Sequence, residues 1–420
     1  MTSRERVIEA INHRESDYVP MDFGGCGQTG ISASTLYKLR KAYHLDEHSV
    51  KICEPFQLLG EVEEDLLRIT GADVVPLWNR GNLLGLSNNL TQPWTMPDGT
   101  PVMMPDNFAY DVNEKGDTLV YPCGCRNVPH SLCMPAGGSF FDNIYRSPPI
   151  DEDNLTPVED FKDTYTLKTE EDCIHWEKES KRLYEETDYA VLGIMGGMGL
   201  GDVAEIPSPY VCYPKGIRDM PNWLMAHLVF PEYVEAVFEY QTNIALKNLE
   251  MYRQAVGDRI QAIWLSGTDF GTQTSLMQSK EIFISLYKPF YTKVNKWIHD
   301  NTTWKTFNHT CGAVEPLIDD FIEMGLDIIN PVQCSAAGMD ASGLKKKYGE
   351  KIVFWGGGVD TQRTLPLGTP EEVRIEVLER LETFSKGGGF VFATIHNVVA
   401  KVPVENLIAM FNAIAEFRGR

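Results

Sequence analysis

The feature that most constrains the fold of this chain is a regular alternation between two kinds of segment. Short apolar runs bounded by Gly, Asp or Asn occupy residues 19–23, 73–77, 190–195, 261–266, 304–308, 327–331, 352–357 and 389–393. Long amphipathic segments separate most of them, at residues 231–256, 280–300, 313–325, 370–386 and 403–417. Strands that alternate with helices pair in parallel through right-handed crossovers. Eight such strands predict an α/β fold of the (β/α)₈ TIM-barrel type. An open doubly wound sheet is disfavoured, because no G-x-G-x-x-G follows the first run.

One stretch, residues 80–150, breaks this rhythm. Met96-Pro97-Asp98-Gly99-Thr100 is a hairpin turn signal, and residues 113–117 form a second one before another β-rich run. We therefore predict a single barrel domain over residues 1–420. Residues 80–150 are expected to form a small β-rich cap inserted after the second strand.

Composition limits the partners and the compartment. The 420 residues are 43% hydrophobic and 23% charged, which suits a globular chain with a sizeable core. A net charge of -21 argues against nucleic acid or an anionic membrane as a partner, since both favour Lys and Arg. The nine cysteines follow no disulfide framework, and no signal peptide or membrane-spanning run is evident. These observations predict a soluble cytoplasmic protein with reduced thiols.

The carboxyl ends of barrel strands are where chemistry is expected. His309-Thr310-Cys311 follows the fifth run, and His396 follows the eighth. Zinc is bound by imidazole nitrogen and thiolate sulfur, and a catalytic zinc keeps three protein ligands and one open position. We predict that His309, Cys311 and His396 bind Zn²⁺. The alternative is that both histidines are hydrogen-bonded residues at strand ends.

Other residues are weaker candidates. Asp269, in Ser266-Gly267-Thr268-Asp269, is either a substrate anchor or general acid, or the cap of a turn. Cys334 competes as a metal ligand, although buried free thiols are common structural residues. A second group of metal-binding residue types, Cys123, Cys125, His130 and Cys133, leaves a structural metal site open. Its C-x-C spacing is tighter than the usual C-x₂₋₄-C of zinc sites.

Long stretches of the chain resemble the uroporphyrinogen decarboxylase superfamily, and within it the corrinoid-dependent methyltransferase branch. The stretches are RERVIEAINHRESDYVPMDFGG, SGTDFGTQTSLMQSKEIF, HTCGAVEPLIDDFIEMGLDIINP, WGGGVDTQRTLPLGTPEEV and VPVENLIAMFNAI. The resemblance covers nearly the whole length and implies a TIM barrel. The methyltransferase branch carries His-x-Cys and a later Cys as zinc ligands. His309 and Cys311 match the first part, and His396 stands where the later Cys is expected.

The same resemblance bears on the reaction. True decarboxylases of the superfamily have an arginine-rich N-terminal stretch that binds substrate carboxylates. The corresponding residues 20–28 here, PMDFGGCGQ, contain no arginine. Such a site cannot hold a multiply anionic porphyrinogen by bidentate pairing, so decarboxylation is disfavoured.

The ligand set favours one direction of methyl transfer. One thiolate and two imidazoles give zinc a formal charge of +1, which polarises an oxygen or nitrogen that carries a methyl group. We expect transfer from a small methylated substrate, with an aryl methyl ether as the leading donor, to cobalt(I) of a corrinoid carried by a partner protein. Asp269 and Gln333 are predicted to orient the substrate or the metal ligands. The alternatives are a decarboxylase-like lyase, a methyl-corrinoid:thiol methyltransferase and a non-catalytic binding protein. The oligomeric state stays open between a monomer and a homodimer.

Overall fold

The computed structural model describes residues 1–419, and its centre is a curled parallel sheet of seven strands. In spatial order the strands are Val74–Leu77, Ala190–Ile194, Ala262–Ser266, Lys305–His309, Ile328–Asn330, Val353–Trp355 and Phe390–Val391. Six of them lie within an apolar run, and Lys305–His309 extends one residue beyond the run 304–308. Helices follow most of them in sequence, so the fold is α/β and consistent with a TIM-like barrel.

The first apolar run, residues 19–23, was predicted as an eighth strand, and here the prediction is only partly right. Met21 forms an isolated parallel bridge with Phe392, next to the last strand. On the other side, the Asp73 amide donates to the Met21 carbonyl at 2.7 Å. The Met21 amide, however, donates to the Asp73 side chain at 2.9 Å rather than to a main-chain carbonyl. Residues 20–22 therefore lie between the two edges of the sheet without forming a continuous ladder.

Two apolar layers follow from the alternation of side chains along the strands. Ala190, Leu192 and Ile194 belong to one cluster with the inward residues of the other strands. The intervening Val191 belongs to the larger core between the sheet and the helices. The N-terminal helix begins after a capping box formed by Thr2 and Glu5. Its apolar residues join the inner cluster and close that end of the barrel.

The long helices lie close to where the apolar spacing places them. The α-helices are Ser3–Ile11, Ala33–Ala42, Glu64–Thr70, Pro157–Phe161, Glu170–Glu186, Met220–Val229, Pro231–Val256, Lys280–Ile282, Lys288–Asn301, Ile318–Glu323, Ala341–Tyr348, Thr364–Leu367, Pro370–Phe384 and Val404–Phe417. The predicted segment 231–256 is helical over its whole length. A π-helical turn, Phe283–Tyr287, joins two of the helices into one element across residues 280–301. None of the helices in the described chain has both the length and the apolar character that crossing a membrane requires.

Two smaller sheets lie outside the central sheet, and most of their strands come from the segment between its first two strands. One sheet contains Ile31–Ser32, Leu59–Gly60, Val50–Glu54, Pro101–Pro105 and Leu90–Thr95, and another contains Asp142–Asn143, Leu132–Met134, Thr118–Val120 and Tyr110–Val112. Both predicted turns connect antiparallel strands. Strand Pro101–Pro105 also pairs with Val50–Glu54, which lies outside residues 80–150. The sheet therefore extends beyond residues 80–150, and the inserted cap stays a prediction.

Candidate metal centre

Three predicted ligand residues meet at the carboxyl end of the sheet. His309 is the last residue of strand Lys305–His309, Cys311 follows two residues later, and His396 lies in the loop after strand Phe390–Val391. One ligand atom from each residue lies within 4.8 Å of the others. The Cys311 Sγ is 3.3 Å from the His309 Nε2, and the two imidazole centroids are 5.4 Å apart. Within residues 1–419 this is the single group of three such side chains close enough to share a metal ion.

The orientation of His309 is set by Asn330. The Asn330 Nδ2 donates to the Trp355 carbonyl at 2.7 Å, which directs the amide oxygen the other way. That oxygen lies 2.7 Å from the His309 Nδ1, so the Nδ1 carries the proton and donates. The unprotonated Nε2 then faces Cys311. This arrangement of an outer partner on one ring nitrogen is typical of metal-binding histidines.

Asp269 holds the backbone of the loop that carries Cys311. The Cys311 amide donates to the Asp269 Oδ1 at 2.6 Å. A second bond joins the same two loops, from the Phe270 amide to the Thr310 Oγ1 at 2.9 Å. The same carboxylate oxygen is 3.8 Å from the His309 Nε2. Asp269 therefore lies beside the predicted ligands, and its clearest contact is with the main chain.

Gln333 has a similar contact one residue further along. Its Oε1 accepts a hydrogen bond from the Gly312 amide at 2.8 Å, and its Nε2 donates to the Gln273 Oε1 at 3.0 Å. Gly312 has φ +92°, and a Cβ there would overlap the main chain of Gly271. Only glycine suits this combination of backbone angle and close approach. Asp269 and Gln333 thus hold the main chain of residues 311 and 312, and their predicted part in orienting the substrate or the metal ligands stays a prediction.

Burial controls the charge of the three donors. Burial lowers the pKa of His309 to about 4, and Asn330 opposes the shift. Burial and the neighbouring His309 lower the pKa of His396 to about 4 as well. Both imidazoles are thus neutral at pH 7, with lone pairs free to bind a metal. Burial raises the pKa of Cys311 well above its usual range, so a bound cation would be needed to hold it as thiolate.

The donor set fits zinc. Two imidazole nitrogens and one sulfur are ligands that Zn²⁺ prefers, and a set of three leaves one position for a substrate or water. Softer metals such as copper(I) favour sulfur-rich sets, which this is not. The geometry thus forms a candidate metal centre with the composition of a catalytic site.

The competing cysteines do not join this group. Cys334, half-buried, lies outside the cluster, and burial raises its pKa to about 11. Cys123 donates from its Sγ to the Tyr210 carbonyl at 2.8 Å. The His130 Nε2 lies 3.1 Å from the Asp111 carboxylate. In the described part of the chain, Cys123, Cys125, His130 and Cys133 do not converge on a common point.

A cavity of about 390 Å³ opens at the same end of the sheet. Trp78 and Asn79, directly after the first sheet strand, line it together with Trp264. The cavity walls do not include the three predicted ligands. The cavity and the predicted ligands are connected through Gln57, which lines the cavity. The Gln57 Oε1 accepts a hydrogen bond at 2.7 Å from the Nδ2 of Asn397, the residue after His396. The volume is in the range of small-molecule binding sites.

Several residues around the site were not identified from the sequence. Asn330 lies at the end of a predicted strand, and that position alone was a usable signal. Three further residues line the cavity from unrelated elements. Lys168 lies in a loop before a helix, Glu205 in a loop after a strand, and Gln241 in the middle of a helix. Their sequence positions show no pattern that would bring them together.

Comparisons with known proteins place the chain in a family. The model of the uroporphyrinogen decarboxylase (URO-D) family matches residues 208–417. The uroporphyrinogen decarboxylase of Pseudoalteromonas translucida is 32% identical over 99 residues, which are 23% of this chain and 27% of that protein. The enzyme of the same name from Psychromonas ingrahamii is 32% identical over 95 residues, 22% of this chain and 26% of that protein. The chain thus matches about a quarter of the length of these relatives.

A solved structure is similar over the full length. A methyltransferase from Methanosarcina mazei has a TM-score of 0.56 and 15% sequence identity, with 99% of each chain covered. At this identity the likeness supports the fold. Since the family match spans half of the chain, the protein belongs to the uroporphyrinogen decarboxylase (URO-D) family.

Proposed function

We propose that this protein is a zinc-dependent methyltransferase. It would move a methyl group from a small methylated molecule, with an aryl methyl ether as the leading donor, to cobalt(I) of a corrinoid carried by a separate protein. The observation that carries the proposal is the convergence of His309, Cys311 and His396 within 4.8 Å at the open end of the sheet. Family membership and the similar fold of a methyltransferase support it.

The cavity argues against the decarboxylase alternative. A porphyrinogen carries several carboxylates, and its recognition needs several cations. Residues 20–28 contain no arginine, and Lys168 is the single Lys or Arg among the described side chains around the cavity. A small substrate with few charges suits this site better. The family name therefore does not by itself fix the reaction.

The roles of the chain's own residues follow from the contacts. Asn330 holds the His309 ring so that its Nε2 faces the site. Asp269 and Gln333 fix the main chain of Cys311 and Gly312. A zinc ion bound by the three ligands would supply Lewis acidity toward the heteroatom that carries the methyl group. The cavity beside the ligands binds and orients the donor molecule.

Methyl transfer can be tested by following cobalt. The purified protein is mixed with a reduced corrinoid protein and an aryl methyl ether, and the absorbance change from cobalt(I) to methylcobalt(III) is recorded. We expect transfer by the wild-type protein, loss in Cys311→Ala, and retention in Cys334→Ala, which removes a thiol outside the cluster. An absence of transfer from every ether, amine and thiol donor would contradict the proposal.

A further inference from the structure

Three cysteines outside the metal centre lie where the small four-stranded sheet meets a long loop. Cys123 and Cys125 lie in a turn between two strands of that sheet. Cys212 lies in the loop 195–219, which leads from a strand of the central sheet to the next helix. The same loop supplies Tyr210 to the cavity wall, so the cysteines adjoin the cavity.

The turn and the loop contact each other in register, two residues apart on both sides. The Cys123 Sγ donates to the Tyr210 carbonyl at 2.8 Å. Two residues further along both segments, the Cys212 thiol donates a hydrogen bond to the Cys125 sulfur. Both are free thiols and half-buried, outside the sealed core. Two free thiols in contact need only an oxidant and a small approach of the sulfurs to form a disulfide.

The backbone of the turn is unusual and fixes this register. Cys123 has φ +50° and Gly124 has φ +71°. A Cβ at Gly124 would lie 2.5 Å from the Asn107 carbonyl oxygen, so only glycine fits there. A non-glycine residue with positive φ is uncommon and is typical of segments under functional constraint. Here it places the two thiols of the turn beside the loop.

The loop is otherwise held to this part of the molecule by side-chain hydrogen bonds to its main chain. The Arg146 Nη1 donates to the Cys212 carbonyl at 3.3 Å, and the Nη2 donates to the Ser208 carbonyl at 2.9 Å. The Asn143 Nδ2 donates to the Ala204 carbonyl at 3.4 Å. Hydrogen bonds of this kind can be exchanged for bonds to water. A covalent bridge would therefore change how firmly the loop is held.

The charges around the thiols suit thiol–disulfide exchange. Burial, followed by the nearby Cys125 sulfur, raises the pKa of Cys212, and the Arg146 charge opposes the shift. A guanidinium beside thiols favours the thiolate, which is the form that attacks a disulfide. Cys212 is thus suited to react second, after Cys125 has been oxidised.

We infer that Cys125 and Cys212 form a reversible disulfide that joins the loop 195–219 to the small sheet. The Cys125 thiolate attacks one sulfur of a small disulfide such as glutathione disulfide, which gives a mixed disulfide and releases one thiolate. The Cys212 thiolate then attacks the Cys125 sulfur, and the second glutathione leaves. The two protein thiols lose two protons and two electrons, and glutathione disulfide is reduced to two thiols.

The bridge would fix one wall of the cavity, because the joined loop carries Glu205 and Tyr210. Disulfides of this kind, between half-exposed thiols, are the labile and regulatory ones. The inference goes beyond the proposed function and does not depend on it, since bridge formation needs neither metal nor methyl transfer.

Thiol trapping with mass spectrometry tests the bridge. Full-length protein is purified without oxygen, treated with one equivalent of glutathione disulfide, blocked with N-ethylmaleimide and digested with trypsin. We expect two of the nine thiols to escape labelling, and the tryptic peptide 116–126 to be joined to the peptide 183–215. Fragmentation of the joined peptides should place the bond on Cys125 and Cys212. Dithiothreitol should restore both thiols.

Variants establish which thiols react. Cys125→Ala and Cys212→Ala should each lose the joined peptides, and a glutathione adduct on Cys125 should persist in Cys212→Ala. The matched control Cys133→Ala removes another half-buried thiol of the same sheet and should retain the bridge. Melting temperatures of the reduced proteins establish that each variant is folded. Wild-type protein without the bridge, a bridge from Cys123, or a bridge lost in Cys133→Ala would overturn the assignment.

Hydrogen–deuterium exchange tests the effect on the loop. Amides of residues 204–213 should exchange more slowly in oxidised than in reduced wild-type protein. Cys212→Ala treated with the same oxidant should show no such difference. Equal exchange in the two wild-type forms, with the bridge present, would overturn the claim that the disulfide holds the loop.

Discussion

Two regions of the molecule are rich in metal-binding residue types, and in the part of the chain that the structure describes only one of them brings three such side chains together. Residues 123–133 place three cysteines and a histidine within eleven positions, yet Cys123 bonds to the Tyr210 carbonyl and His130 to the Asp111 carboxylate. His309, Cys311 and His396 are spread over almost ninety positions and meet within 4.8 Å. Parallel strands bring their carboxyl ends to one edge regardless of sequence distance. Placement at strand ends is thus a stronger signal than local density of ligand residues.

The largest expected effect comes from removing a ligand. His309→Ala, Cys311→Ala and His396→Ala should each lose the single zinc ion per chain, because two remaining donors hold the metal poorly. Cys123→Ala and Cys133→Ala are the matched variants and should keep it. Metal content by inductively coupled plasma mass spectrometry gives the answer. Zinc that survives in all three ligand variants but disappears in the other two would reverse the comparison.

A smaller loss is expected from Asn330→Ala. Without the acceptor on its Nδ1, the His309 ring can take the other tautomer and rotate away from the site. Outer partners of this kind are typically worth about 10–100-fold in metal affinity. Competition with a fluorescent zinc chelator measures the change. Asn406→Ala, which also removes a buried asparagine that donates to main-chain carbonyls, controls for general destabilisation and should bind zinc normally. An unchanged affinity in Asn330→Ala would mean that the ring is held in another way.

The loop after Cys311 can be tested through its glycine. Gly312→Ala should destabilise the fold by about 1–3 kcal/mol and weaken zinc binding, because φ is positive and the added methyl overlaps Gly271. Gly99 is a close control, since its φ is +89° and nothing lies near its Cβ direction. Gly99→Ala should therefore show only the backbone strain. Urea unfolding of both variants separates the backbone strain from the steric overlap with Gly271. Equal losses of unfolding free energy in the two variants would contradict the steric argument.

The smallest effect is expected in the region without a metal site. Hydrogen bonds from Tyr121, Arg126 and His130 lower the pKa of Asp111 to about 2. The folded state therefore binds the proton less tightly than the unfolded state does, so these bonds stabilise the fold above about pH 4. The contribution is lost as the pH falls toward 2. Because Asp111 is exposed, the effect should be slight and weaker in high salt.

Comparison of the urea midpoints of wild-type and Asp111→Asn at pH 5 and pH 3 detects this difference. We expect the difference in urea midpoint between wild-type and Asp111→Asn to be smaller at pH 3 than at pH 5. A gap that widens on acidification would show that Asp111 is held in some other way. Zinc content should be the same in both proteins, since Asp111 and His130 lie outside the predicted centre.

Much of the fold follows from sequence periodicity. Seven of the predicted strands and helix Pro231–Val256 match the structure because their apolar spacing reflects burial on one or both faces. The first run was less regular, since the side chain of Asp73 replaces a main-chain partner of Met21. Such an exchange depends on a residue more than fifty positions away, which periodicity does not report.

The site was predictable in part for the same reason. His309 ends a strand and Cys311 and His396 follow strands, so their meeting depends on topology. The contact between Asn330 and His309 depends on the direction of a side chain at a strand end. The grouping around the cavity likewise depends on side-chain directions in loops and on a helix, for Lys168, Glu205 and Gln241. Asp269 and Gln333 stay predictions as functional residues, and their bonds to main-chain amides could not be read from residue type.

X-ray absorption at the zinc edge of the purified protein tests the central claim most directly. The account predicts one sulfur at about 2.3 Å and two nitrogens at about 2.0–2.1 Å from each zinc, with a light atom in the fourth position. The sulfur contribution should vanish in Cys311→Ala and persist in Cys123→Ala. Zinc surrounded by three sulfurs would instead place the metal in the cysteine-rich region and contradict the proposed centre.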